Sequence, residues 1–171
     1  EEYGCELVNV LTGFKYIGEQ IGILDEKGEE SRYVFGFEES YGYLAGTAVR
    51  DKDAVVASML ICEMTAFYKS HGASLTDVLE QLYRRYGYYR NVQKSFTCEG
   101  QSGMKKIADT MERLRSESIS ELDGSAVIKV NDYQTSVSRS MTDGRETRIT
   151  LPRSNVLSYF TADGSSLIVR P

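Results

Sequence analysis

The chain has 171 residues, 41% of them hydrophobic and 26% charged, with two prolines and a formal net charge of −5. That length suits one or two small domains with real cores, and the composition argues against disorder and low complexity. The acidic balance, with no basic stripe, argues against a nucleic-acid surface, and an anionic ligand must be held by a few local Lys or Arg residues against an unfavourable overall field.

Residues 6–11 (ELVNVL) read as a short strand. Thr12-Gly-Phe-Lys15 follows, with a helical turn reaching about Leu24 and then a polar loop. Residues 32–37 (RYVFGF) are rich in β-formers and read as a buried strand. A Gly-framed turn, Glu38-Glu-Ser-Tyr-Gly42, comes next. From Asp53 the residues Val56, Met59, Leu60, Met64 and Phe67 make an apolar stripe at helical spacing, ended by His71-Gly72. Ser74-Leu-Thr-Asp77 has the form of a capping box with Asp in place of Glu or Gln. The helix it opens carries Leu75, Val78, Leu79, Leu82 and Tyr86 inward and stops at Gly87. Strand and helix alternate up to this point, the mark of an α/β unit.

Residues 88–98 alternate like a strand, with Val92 and Phe96 on one face. A helix over about 102–115 presents Met104, Ile107, Ala108, Met111 and Leu114, and residues 126–133 read as a strand. Asp143-Gly144 and Asp163-Gly164 are hairpin turns, so 155–160 and 166–170 pair. This half reads as α+β with an antiparallel sheet, and the boundary is placed near residue 88. Cys5, Cys62 and Cys98 form no CxxC pair and fit free thiols in a reducing cytoplasm. No apolar run approaches the ~20 residues of a membrane span, and no signal peptide is visible. With no initiator Met and a last segment, LIVRP, that has no closing element, the chain reads as a piece of a longer protein.

Glu38, Glu39 and Ser40 carry the strongest chemical signal. A carboxylate beside a hydroxyl suits a polyol, whose hydroxyls both give and take hydrogen bonds, and the flanking glycines let backbone approach a ligand. Lys15 lies beside one turn, and Arg50 and Lys52 lie beside another, where each can reach an anion. Solvated surface charge is the ordinary account of any one of them. Asp51 and Asp53 read as caps of the helix that follows. His71 is explained by its helix C-terminus and receives no catalytic role.

The order TGFKYIGEQI, FGFEESYGYLAGTAVRDKDAVVASML and NVLSYFTADGSSLIVRP resembles the phosphoglucomutase/phosphomannomutase (α-D-phosphohexomutase) family, in its bacterial phosphoglucomutase and phosphopentomutase-like branch. The likeness covers nearly the whole chain, strongest over 34–60 and weakest over 122–148. It implies a three-layer α/β/α domain with a mixed sheet over 1–88 and an incomplete α+β domain, with helices on one face of an antiparallel sheet, over 89–171. These would be the third domain and most of the fourth in the parent. Glu38-Glu39-Ser40 matches the family's sugar-binding loop. Arg170-Pro171 matches the start of its phosphate-binding loop, whose Ser-Gly-Thr core does not occur here. Lys15, Arg50 and Lys52 match polar positions lining the cleft, with Lys52 the candidate to handle the proton or charge of the reacting hydroxyl.

The resemblance further implies a cytoplasmic isomerase of carbohydrate metabolism. It moves a phosphoryl group between C1 and C6 of a hexose through a phosphoserine and a bisphosphorylated sugar, with Mg2+ and a hexose bisphosphate activator. The family's phosphoserine and Asp-rich magnesium loops have no match in this chain. It is therefore expected to be inactive alone, to hold no metal, and to partner the parent's N-terminal domains and a sugar phosphate. Self-association through the second unit is also expected. Phosphomannomutase, phosphopentomutase and a non-catalytic sugar-phosphate binding module are the alternative readings.

Overall fold

The computed structural model describes residues 3–117 and 119–171. The chain is of the α/β class and forms two compact units, one running to Val92 and one from Gln93.

In the first unit α1 (Phe14–Glu26) is followed by a 3-10 turn (Glu30–Arg32), β1 (Phe35–Glu38), β2 (Gly42–Ala45), α2 (Ala54–Ser70) and α3 (Leu75–Tyr86). β1 and β2 form an antiparallel hairpin in which Phe35 pairs with Ala45 and Glu38 with Gly42. Alternation along the strands sends Gly36 and Leu44 to one face and Phe35, Phe37 and Tyr43 to the other. Leu44 is buried with Phe14 and Ile21 of α1, and Ile17 and Tyr33 pack around them. Gly36 sits where a Cβ would overlap Ile17 and the Tyr33 hydroxyl, so the missing side chain lets α1 approach the hairpin.

Several expectations are corrected here. Residues 6–11 join no ladder among the described residues; Leu11 is buried, while Leu7 and Val8 stand in solvent. The strand expected to be buried keeps only Gly36 fully covered and Tyr33 half-buried, with Phe35 and Phe37 exposed and tilted against each other. The Gly-framed turn is followed by a strand, β2, that the residue pattern did not announce. On α2, Val56 and Leu60 are half-buried, but Met59, Met64 and Phe67 are exposed. The reason is geometric. Two strands about 4.8 Å apart make too narrow a floor for helices about 10 Å across, so much of each apolar stripe meets no partner.

In the second unit α4 (Gly100–Ser116) packs on a sheet of β3 (Glu121–Leu122), β4 (Ser125–Asp132), β5 (Val137–Ser140), β6 (Glu146–Arg148), β7 (Leu157–Thr161) and β8 (Ser166–Val169). The sheet order is β6-β5-β4-β7-β8, with β3 on β4, and every ladder is antiparallel. Met111, Val127, Leu157 and Tyr159 are its core, closed by Leu114, Ile119, Leu122, Val130, Met141 and Val169. Tyr159 donates its hydroxyl to the Leu114 carbonyl at 3.1 Å, and Arg115 pairs with Asp132 at 3.3 Å, so α4 is fastened to the sheet at its C-terminal end. Asp143-Gly144 and Asp163-Gly164 sit in hairpin turns, and β7 pairs with β8 as expected. Residues 88–98 form no strand, and Val92 and Phe96 are exposed. Helix α4 begins earlier than expected and leaves Met104 in solvent.

Candidate functional site

The turn between β1 and β2 is a three-residue loop, Glu39-Ser40-Tyr41, closed by the Glu38–Gly42 pair. Such loops end on a left-handed residue, and Tyr41 takes that place with φ 65°. The loop folds Ser40 back over the strand end, where its Oγ donates to Glu38 Oε1 at 2.9 Å. Lys52 Nζ reaches the same Oε1 at 3.3 Å.

Lys52 is delivered by the segment that runs from β2 into α2. The Asp53 amide donates to the Tyr43 carbonyl at 2.8 Å, tying this segment to the hairpin. The Asp53 carboxylate caps α2 by accepting from the Val55 and Val56 amides. Asp51, expected as a second cap, instead accepts the Lys52 amide at 2.7 Å and lies 3.6 Å from Lys52 Nζ. Lys52 Nζ also stands 4.9 Å above the Phe14 ring, a cation–π contact.

The result is a compact polar group. The Glu38 side chain is only 10% exposed, and a carboxylate so covered needs a counter-charge; Lys52 supplies it. Ser40 and Lys52 both use Oε1. Oε2 makes no hydrogen bond among the described residues and is chemically an acceptor, as is the Ser40 oxygen, while the Lys52 ammonium can only donate. Gly42 completes the group by absence: a Cβ there would lie 2.9 Å from Lys52 Cε and 3.0 Å from Glu38 Cγ.

The other expected residues take different places. Arg50 pairs with Asp25 of α1 at 2.8 Å, and its backbone carbonyl fills the space a Cβ on Gly18 would need. Lys15 lies over the Tyr16 ring at 4.8 Å. Neither makes a hydrogen bond or ion pair to Glu38, Ser40 or Lys52. Arg170 is exposed directly after β8, in the second unit. His71 caps the end of α2, its Nδ1 2.8 Å from the Phe67 carbonyl. None of Phe14, Asp51 and Gly42 was read as a site residue from the sequence, Asp51 being expected only as a helix cap. Gly42 was visible as one of the framing glycines, but the contacts of Phe14 and Asp51 depend on how α1 and the β2–α2 segment pack.

Sequence comparison meets this geometry at the same hairpin. The family model described as Phosphoglucomutase/phosphomannomutase, alpha/beta/alpha domain III matches residues 1–86. The chain belongs to the phosphoglucomutase/phosphomannomutase family. It is 39% identical over 155 residues to a protein named Phosphoglucomutase from Staphylococcus epidermidis, covering 91% of this chain and 28% of that protein. Proteins of the same name from Staphylococcus haemolyticus (36% over 164 residues, 96% and 29% covered) and Staphylococcus aureus (38% over 159 residues, 93% and 28% covered) are similar to it. The chain thus spans under a third of the length of these relatives. No solved structure matches it.

Proposed function

We propose that the chain supplies the sugar-binding hairpin of a phosphohexomutase, a phosphoglucomutase interconverting glucose 1-phosphate and glucose 6-phosphate. The observation that carries this reading is the Glu38–Ser40–Lys52 group: a covered, neutralised carboxylate with one oxygen held and the other without a hydrogen-bond partner among the described residues. The name shared by relatives matching over 91% to 96% of the chain supports it.

In this reading residues 1–88 are the third domain of the parent and 89–171 belong to the fourth. A phosphoserine elsewhere in the parent donates to the sugar, and the bisphosphorylated intermediate turns over and returns its other phosphate. One site must then hold the sugar in two opposed orientations. Glu38 and Ser40 suit this, because they read donors and acceptors rather than ring asymmetry. Turning the sugar roughly exchanges two equatorial hydroxyls at Glu38 Oε2 and Ser40 Oγ. Lys52 steadies charge on the reacting oxygen, Lys15 and Arg50 raise the local potential for the phosphates, and Arg170 anchors the phosphate that is not reacting. Catalysis of this kind is mostly positioning and charge neutralisation.

Magnesium and a hexose bisphosphate activator belong to the parent in this reading, as does its cytoplasmic location. Among the described residues no group of three or more His, Cys, Asp or Glu is placed to hold a metal ion. No helix among them is long and apolar enough to cross a membrane.

The test is made in the full-length protein. Losing a neutral hydrogen bond costs about 0.5–1.5 kcal/mol and a charged one about 1.5–3. Ser40→Ala is therefore expected to lower kcat/KM by about two- to tenfold, and Glu38→Gln by more than about tenfold. Wild-type kcat/KM in both variants, with an unchanged melting temperature, returns the hairpin to plain surface charge. Relative turnover of glucose, mannose and ribose 1-phosphates then sets the substrate.

A further inference from the structure

Tyr41 occupies a backbone state that its side chain disfavours. Its φ of 65° lies in the left-handed region that glycine enters freely and bulky residues rarely do. Glycine would close the same three-residue loop without strain. An outlier of this kind beside a ligand group points to a demand on the side chain.

The fold itself makes no use of the ring. Tyr41 is 87% exposed, and it has no hydrogen bond, ring contact or cation contact among the described residues. The other aromatic residues of the hairpin behave differently: Phe35 stacks with Tyr43 and tilts against Phe37. Tyr41 instead follows Ser40 directly and is separated from Glu38 only by the loop. An exposed aromatic ring thus belongs to the same three-residue loop as Ser40.

A hexopyranose presents hydroxyls around its rim and C–H groups on its faces. A site that reads both needs polar groups at the rim and an aromatic surface against a face. We propose that Tyr41 is a specificity-determining residue whose ring packs on the C–H face of the pyranose held by Glu38 and Ser40; this rests on the sugar-binding reading above. A ring contact of this kind does not depend on which end of the sugar carries phosphate.

The test uses the full-length protein and glucose 1-phosphate as probe. Affinity is measured by calorimetry, and transfer of saturation from protein to sugar C–H protons by NMR. Tyr41→Gly keeps the turn and removes the ring. It is expected to weaken binding by about two- to tenfold and to reduce transfer to the C–H protons, with no loss of melting temperature. Tyr41→Phe is expected to retain both affinity and transfer, and Ser40→Ala to weaken binding independently. Unchanged affinity in Tyr41→Gly, or a Tyr41→Phe as weak as Tyr41→Gly, overturns the stacking role while a weakened Ser40→Ala leaves the sugar-binding reading standing. Failure of the unmodified full-length protein to bind, or an unaffected Ser40→Ala, overturns that reading and the proposal with it.

Discussion

Two glycines show how a single missing methyl group can serve different ends. An added Cβ at Gly42 meets the side chains of Lys52 and Glu38, both of which can swing aside. Gly42→Ala is therefore expected to leave the fold standing, with a melting temperature near wild type, while weakening sugar-phosphate binding several-fold by calorimetry. At Gly18 the added atom meets the backbone carbonyl of Arg50, which cannot move alone. Gly18→Ala is expected to destabilise the first unit by about 1–3 kcal/mol in urea denaturation. Tyr159 offers a third case. It is buried, and its hydroxyl satisfies the Leu114 carbonyl, so Tyr159→Phe is expected to cost about 0.5–1.5 kcal/mol. Burial raises its phenol pKa above the ordinary value. The stabilising effect is thus complete below the unfolded tyrosine's pKa of about 10 and is lost as pH rises through the folded one. A denaturation series from neutral to alkaline pH checks this against the Phe variant, which lacks the dependence.

The start of α3 shows how an element's boundary is set locally. Ser74 accepts from the Asp77 amide, and Asp77 in turn accepts from the Ser74 amide and hydroxyl. These bonds, the hydroxyl's first, hold the Asp77 carboxyl below its ordinary pKa. Its contribution is therefore present above the unfolded carboxyl's pKa, about 3.9, and is lost as pH falls through the folded value. Ser74→Ala is expected to cost about 1 kcal/mol at neutral pH and less in acid, measured by urea denaturation at both. Asp163 plays a similar part in the β7–β8 turn. It accepts from the Thr161 hydroxyl at 2.6 Å and from the Ser165 amide at 3.0 Å, which is why its carboxyl too lies low.

For the whole molecule, exposed apolar surface is the dominant feature. The sequence reading expected self-association through the second unit. Leu167, Ile168 and Met104 are indeed exposed, but the longer series lies in the first unit: Val34, Phe35 and Phe37 on the hairpin, Met59, Met64 and Phe67 on α2. Surfaces of this kind drive association. The chain is expected to self-associate with rising concentration in light scattering, and Met64→Glu with Phe67→Glu to reduce it. A concentration-independent monomer contradicts this. No mutase turnover is expected from the chain alone, since the proposed phosphoryl donor lies elsewhere in the parent; turnover of glucose 1-phosphate above a blank contradicts that assignment.

What the residues determined by themselves is local. Helix starts and stops at Asp53, Ser74 and Gly87, the Asp-Gly turns, and the pairing of β7 with β8 follow from capping, turn chemistry and short-range pattern. The likeness to a known family rested on the same kind of contiguous text, FGFEESYGYLAG above all. What only tertiary structure decided depends on atoms distant in sequence. An alternating pattern shows that a strand is able to form, but a strand needs a partner. Residues 6–11 and 88–98 have none among the described residues, while Gly42–Ala45, for which the pattern gave no strand, pairs with Phe35–Glu38 and becomes one. The site divides in the same way. Glu38 and Ser40 were legible because the loop brings them together within three residues. That Lys52 joins them above Phe14, while Arg50 turns to Asp25, was settled by the packing of α1 against the hairpin, because charge alone gives two neighbouring cations the same choice of carboxylates.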